Sequence, residues 1–241
     1  MKYYIGCSGW SYKGWIGKFY PGKINPSEFL PYYAKHFNTA EVNSTFYRLP
    51  FEGVVKGWYK KTPSDFCFSL KISRTITHYR KLKDVEEPLK IFFERISPLK
   101  EKTGAILHQF PPSLKIDDEL LKEYLKKLPE NYQHAIEFRH SSWFRKEIYK
   151  ILTKYNIALV IINSPNWEEI WETTANFSYI RMHGAESLYN YCYKKEELEE
   201  LYKKISKKFK NIEKLYVYFN NDYNAYAVEN ANYLISLFKN E

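Results

Sequence analysis

The side chains best able to do chemistry in this sequence sit where short apolar runs end. In chain order the endings are Ser8, Glu41 with Asn43, Lys71, Gln109, Glu137 with Arg139, Asn163, Arg181 with His183, and Asn220 with Asn221. Side chains alternate along a strand, so residues two apart share a face. Glu41 and Asn43 are therefore expected to point the same way, as are Ser69 and Lys71, Glu137 and Arg139, and Arg181 and His183. Such polar and charged pairs are costly against an apolar layer, which places them inward near a polar mouth. Three fixed cations (Lys71, Arg139, Arg181) stand against two carboxylates (Glu41, Glu137), with His183 optional. The surplus suits an anionic ligand, because guanidinium forks match phosphate and carboxylate geometry. The alternative is an ion-pair plug, with Glu137 neutralised by Arg139 or Arg181 and Glu41 by Lys71.

Further cues flank these runs. Asn220, Asn221 and Asp222 lead into a helical stretch around 225–238, and free N–H groups at a helix start attract anions. Asp222 as a simple helix cap is the competing role. Gly184 would let backbone approach a ligand closely. The segment GWSYKGW at 9–15 brings Trp10, Tyr12 and Trp15 near the mouth, either to stack on a base or sugar or to pack as a lid. His78 and His140 follow the third and fifth runs, and imidazole titrates near neutrality, so each is a candidate for proton transfer.

Positioning these groups requires eight strands, expected at Tyr3–Cys7, Ala40–Asn43, Cys67–Lys71, Ala105–Gln109, Ala135–Arg139, Ala158–Ile162, Tyr179–His183 and Leu215–Asn220. Segments of helical period lie between most of them. Leu89, Phe92, Ile96 and Leu99 form one stripe, and Leu121, Tyr124, Leu125 and Leu128 another, opened by Asp117 and Asp118. Leu198, Leu201, Ile205, Phe209 and Ile212 form a third, and another helix is expected near 27–37. The link after the sixth strand is weak, with a short or irregular helix around 167–172. Alternating strands and helices predict an α/β fold, a TIM-type (β/α)8 barrel. At 241 residues, with no linker-like composition, the whole chain 1–241 is read as one barrel domain.

Composition narrows the classes. A hydrophobic share of 44% is ample for a core. The net charge of +9 makes an anionic partner worth considering, although much of the excess is lysine on a helix face, as at Lys203, Lys204, Lys207, Lys208 and Lys210. Cys7, Cys67 and Cys192 are scattered, which predicts a reducing cytoplasm and no cysteine zinc site. The first strand begins within a few residues of Met1, and the longest apolar stretch, 157–162, is too short for a bilayer. A soluble protein with no membrane partner is expected.

The same segments carry a family resemblance. GCSGWSYKGWIGKFYP at 6–21, EVNSTFYRLP at 41–50, KTPSDFCFSLKISRTITH at 61–78, QFPP at 109–112, EFRHSSWF at 137–144, YIRMHG at 179–184 and VYFNND at 217–222 resemble the YecE-like family, domain of unknown function 72. That resemblance implies a TIM-barrel fold and supplies no reaction. It supports, as site positions inside matched motifs, Trp10, Glu41, Asn43, Lys71, His78, Gln109, Glu137, Arg139, His140, Arg181, His183, Asn220, Asn221 and Asp222. His108 stands beside a motif position where an apolar residue is expected.

The leading expectation is a barrel that binds or acts on an anionic small molecule or nucleic acid, without a metal or other cofactor. Arg139, Arg181 and the Asn220–Asp222 turn would hold the anion, and Glu137 or His183 would move a proton. Lys71 as a Schiff-base lysine is a further reading. A divalent-metal phosphoesterase would draw on Glu41, Glu137 and His183, and a two-carboxylate glycosidase on Glu41 and Glu137. A non-enzymatic role would use the basic outer helices to bind nucleic acid or protein.

Overall fold

The structure is a computed structural model and describes residues 1–239. Eight apolar runs become the strands β1 (Lys2–Cys7), β2 (Thr39–Val42), β3 (Cys67–Lys71), β4 (Thr103–Gln109), β5 (His134–Glu137), β6 (Ala158–Asn163), β7 (Phe177–Met182) and β8 (Lys214–Phe219). They are hydrogen-bonded in sequence order and close as a barrel. Parallel ladders join β1 to β2 and β8, β3 to β4, β4 to β5, β5 to β6, and β7 to β8.

Four strands stop earlier than their expected ends, at Val42, Glu137, Met182 and Phe219. Asn43, Arg139, His183 and Asn220 therefore lie just past the strand ends, where the pleat no longer dictates direction. Of the four face-sharing pairs, Ser69 and Lys71 fall wholly within a strand.

The helices are α1 (Phe29–Tyr33), α2 (Ser44–Tyr47), α3 (Glu52–Lys60), α4 (Glu86–Ile96), α5 (Asp118–Lys126), α6 (Lys146–Lys154), α7 (Lys195–Lys208) and α8 (Tyr226–Lys239). Their apolar stripes are buried as the periodicity requires: Leu89, Phe92 and Ile96 in α4, Leu121, Tyr124 and Leu125 in α5, Leu198, Leu201 and Ile205 in α7. Asp117 caps α5, its carboxylate accepting the Leu120 N–H at 3.0 Å. Between β6 and β7 the expected short helix is absent. Residues 164–176 form a turn with an antiparallel bridge, Ser164 to Trp167, followed by irregular chain. Pro165 fits a turn, and Thr174 uses its hydroxyl on backbone, accepting from Leu159 N at 2.8 Å and donating to Ile157 O at 2.7 Å.

Contacts divide the chain into two compact units. One comprises Met1–Glu41, Ile161–Trp171 and the chain from Asn176 onward. Its interior is rich in tyrosine: Tyr4 stacks on Tyr216 with centroids 5.1 Å apart, and the Tyr33 hydroxyl accepts from Cys7 N at 2.8 Å while donating to Thr39 O. The other comprises Val42–Val160 and Glu172–Ala175. It packs Phe66 on Phe68 and Phe138 flat on Trp143, whose indole N–H donates to Leu114 O at 2.7 Å. Among the described residues no helix is long and apolar enough to cross a membrane.

Candidate functional site

In the first unit, Glu41 at the end of β2 is fully buried. Arg181 in β7 grips it with both forks, Nε to Oε2 at 2.9 Å and Nη2 to Oε1 at 2.7 Å. The Tyr179 hydroxyl donates to Oε2 and the Ser8 hydroxyl to Oε1, each at 2.7 Å. Burial alone would raise the Glu41 carboxyl, but the Arg181 charge and the hydrogen bonds from Arg181, Tyr179 and Ser8 outweigh it and hold it below the usual range. Arg181 is thus committed to Glu41. This corrects the expected assignment of Glu41 to Lys71, and it leaves Arg181 ill placed to hold an external anion.

The loop residues of this unit mostly brace one another. His183, buried, meets the Asn220 amide through Nδ1 at 2.9 Å. Asn221 is fully buried and donates to Tyr191 O and Asn230 Oδ1. Asp222 does not cap the following turn with its side chain; its carbonyl accepts the Trp15 indole N–H at 2.8 Å, and burial pushes its carboxyl up. A short 3₁₀ turn, Tyr223–Ala225, separates these residues from α8. Trp15 is buried with the Tyr12 ring 4.7 Å away, so the packing role prevails there, while Trp10 is half-buried. Gly184 has φ +109, and a Cβ would lie 2.2 Å from the Ser187 carbonyl, so the close approach it permits is to its own loop.

The second unit gathers Lys71, Gln109, Glu137 and Arg139 at the ends of β3, β4 and β5. Lys71 Nζ donates to Gln109 Oε1 at 2.7 Å and lies 4.0 Å from the centroid of the Phe46 ring. The Gln109 amide in turn donates to Glu137 Oε1, which also accepts Arg139 Nε at 2.5 Å. The expected pairing of Glu137 with Arg139 is therefore the one formed. Thr45, from α2, ties this corner together by donating to Lys71 O at 2.6 Å; Asn43 is the half-buried residue that precedes α2.

Beyond β3 the chain makes a π-helical turn, Thr75–Tyr79, in which Arg80 N reaches Thr75 O at 3.0 Å. It presents His78, half-buried, edge-on to the Phe46 ring with centroids 4.8 Å apart. Burial and the charges of Lys71 and Arg74 all hold its imidazole below the ordinary value. His140 accepts Ser142 N on Nδ1 at 3.1 Å, capping the turn after β5.

A family profile described as "Protein of unknown function DUF72" matches residues 4–241. The chain belongs to the DUF72 family. YecE of Escherichia coli (strain K12), a UPF0759 protein, is 33% identical over 144 residues, which are 59% of this chain and 50% of YecE. That match therefore spans about half of the relative's length. YunF of Bacillus subtilis (strain 168), also a UPF0759 protein, is 26% identical, with 97% of this chain and 94% of YunF covered. Among solved structures, a DUF72 protein from Thermotoga maritima superposes with a TM-score of 0.87 at 34% identity, covering 99% of this chain and 100% of the other. A DUF72 protein from Enterococcus faecalis at 22% identity shares the fold, with a TM-score of 0.83 over 98% of this chain and 95% of its own. The fold and family expected from the motifs are those of DUF72. No activity is attached to it.

The geometry separates the chemical readings. Among the described residues, no three His, Cys, Asp or Glu side chains converge to hold a metal ion. Both candidate carboxylates accept from close donors in buried positions, so neither is set out as a metal ligand or a glycosidase nucleophile. Lys71 Nζ is engaged by Gln109 Oε1 and the Phe46 ring, which argues against its being set out as a Schiff-base nucleophile. Four residues at these sites were missed from sequence: Tyr179, Phe46, Thr45 and Arg74. Tyr179 was findable, since it sits two residues before Arg181 in the same strand.

Proposed function

We propose that this DUF72 chain binds an anionic, phosphate-bearing ligand at the ends of β3–β5, between Lys71 and Arg74 and beside His78. One observation carries the reading. Lys71 Nζ lies 4.0 Å from the centroid of the Phe46 ring that half-buried His78 meets at 4.8 Å, and burial followed by the Lys71 and Arg74 charges lowers that imidazole's affinity for a proton. Such a local excess of positive charge at a polar strand end is what an incoming phosphate or carboxylate would neutralise. Gln109, Glu137 and Arg139 support it from below by fixing the position of the Lys71 ammonium. Among the described residues, no carboxylate pairs with Arg74; its guanidinium lies over the Tyr47 and Tyr79 rings at 5.6 and 5.3 Å. His78 is the group placed to exchange a proton with the bound ligand, in preference to Glu137, whose Oε1 accepts from both Gln109 and Arg139.

Calorimetric titration with inorganic phosphate and pyrophosphate tests this. Saturable binding is expected in the wild type. Lys71→Met should weaken it by about tenfold or more, the worth of a hydrogen bond from a charged group, and Arg74→Gln by a smaller factor. Melting curves separate loss of binding from loss of fold. Absence of binding in the wild type, or equal affinity in all three well-folded proteins, would overturn the reading.

A further inference from the structure

The loops after β2 and β3 carry a feature that anion binding alone does not require. Tyr47, Phe51 and Tyr79 are 64%, 65% and 67% exposed. Single exposed aromatics are ordinary. Here, however, each has a guanidinium against its face. Arg74 lies over both Tyr47 and Tyr79, so these two rings neighbour a single cation. Arg48 lies 5.5 Å from the centroid of the Phe51 ring. Tyr47 meets Phe46 edge-on at 5.0 Å, and Phe46 is the ring beneath Lys71 and beside His78. Tyr47 and Tyr79 are thus continuous with the proposed anion site, and Phe51 with Arg48 follows in the same loop as Tyr47.

Charge in these loops is predominantly positive, with Asp84 the one carboxylate before α4. Residues 44–51 contain Arg48 and no carboxylate, and residues 72–83 contain Arg74, Arg80, Lys81 and Lys83 and no carboxylate. Arg48, Arg80, Lys81 and Lys83 are exposed and Arg74 half-exposed. A guanidinium stacked on a ring keeps its N–H edge turned outward, available to a phosphate, while exposed ring surface remains for stacking. Rings that stack, interleaved with cations that pair with a backbone, make a platform suited to unstacked bases on a flexible phosphodiester chain. A duplex keeps its bases stacked on one another and has none to offer such rings.

We infer that Tyr47, Phe51 and Tyr79, with Arg48 and Arg74, form a platform for single-stranded nucleic acid, and that one phosphate of the strand enters the site at Lys71. The placement of that phosphate rests on the anion reading above. The rings determine what class of anion is taken.

The test is fluorescence anisotropy with fluorescein-labelled oligothymidylate, an abasic strand of the same length, the corresponding duplex and polyglutamate. The wild type should bind oligothymidylate most tightly. Tyr47→Ala, Phe51→Ala and Tyr79→Ala alter exposed side chains, so the fold should survive, and each should cost about tenfold on oligothymidylate. The same substitutions should cost the abasic strand and inorganic phosphate far less than they cost oligothymidylate. Equal affinity for the based and abasic strands, or a preference for duplex or polyglutamate, would overturn the platform. So would indifference of oligothymidylate to the three ring removals. Pyrophosphate binding that is lost in Lys71→Met but kept in the ring variants would then leave the anion site standing by itself. Ring-dependent strand binding without any phosphate binding would instead remove the anion site and keep the stacking surface.

Discussion

At the scale of single residues, the Glu41–Arg181 pair is a structural commitment. Its two partners are 0% and 2% exposed, and the carboxylate receives donors from Ser8 and Tyr179 as well as from the guanidinium. The attraction between buried charges is offset by their desolvation, but removing one partner strands the other. Glu41→Gln should therefore destabilise the protein by roughly 3–5 kcal/mol, a drop in Tm on the order of 10 °C for a chain of this size. Arg181→Met should do the same by leaving a buried carboxylate. The double variant Glu41→Gln/Arg181→Met should be more stable than the sum of the two losses implies. A double-mutant cycle from urea denaturation measures that coupling. Strict additivity would mean that the pair is not a unit and that Arg181 has capacity for another anion.

At the scale of elements, β4, β5 and α5 are joined by a chain of neutral groups whose proton positions follow from its end. The His134 Nε2 group meets Pro129 O at 3.0 Å, and a carbonyl can only accept, so His134 carries its proton there. Its Nδ1 must then accept from His108 Nε2 at 3.0 Å, and His108 Nδ1 must accept from the Tyr124 hydroxyl at 2.6 Å. Protonating either ring would break this order inside an apolar layer. Burial accordingly pushes His134 down to about 4, and burial together with His134 pushes His108 well below the ordinary histidine value. Both imidazoles bind protons more weakly folded than unfolded, so their stabilisation is fully present above the unfolded value near 6.5. It is lost as pH falls from there towards 4. The His134 shift alone corresponds to roughly 3 kcal/mol across that window. Urea denaturation from pH 7 to pH 4.5 should show the loss, and the variant His108→Phe/His134→Phe should show a flatter profile. An identical slope in that variant would assign acid sensitivity to the carboxylates instead.

At the scale of the whole molecule, the barrel was legible because each strand is an apolar run with a polar terminus, and the order of runs and helical stripes admits few topologies. The missing helix between β6 and β7 was half legible: Pro165 and Thr174 weaken the period, yet Thr174's hydroxyl had to be seen on backbone before the irregular chain made sense. Which carboxylate meets which cation was not legible, because Glu41 and Arg181 lie 140 positions apart and alternation reports a face, not a partner. Exposure of Tyr47 and Tyr79 was hidden too, since α2 and the π-helical turn are too short to reveal a period. The net charge of +9 was readable but not its use. Salt dependence distinguishes the uses, because its slope counts phosphates neutralised locally and not the charge of the protein. The two loops hold five cations, Arg48, Arg74, Arg80, Lys81 and Lys83. If all five and Lys71 contact a single strand, log affinity should fall with log salt at a slope of at most about 4. Neutralising exposed Lys203, Lys207 and Lys208 on α7 to glutamine should leave that slope unchanged, whereas Arg48→Gln/Arg74→Gln should reduce it by about one or more. A steeper slope that falls with the α7 substitutions would move strand binding to the basic helix face and make the aromatic loops bystanders.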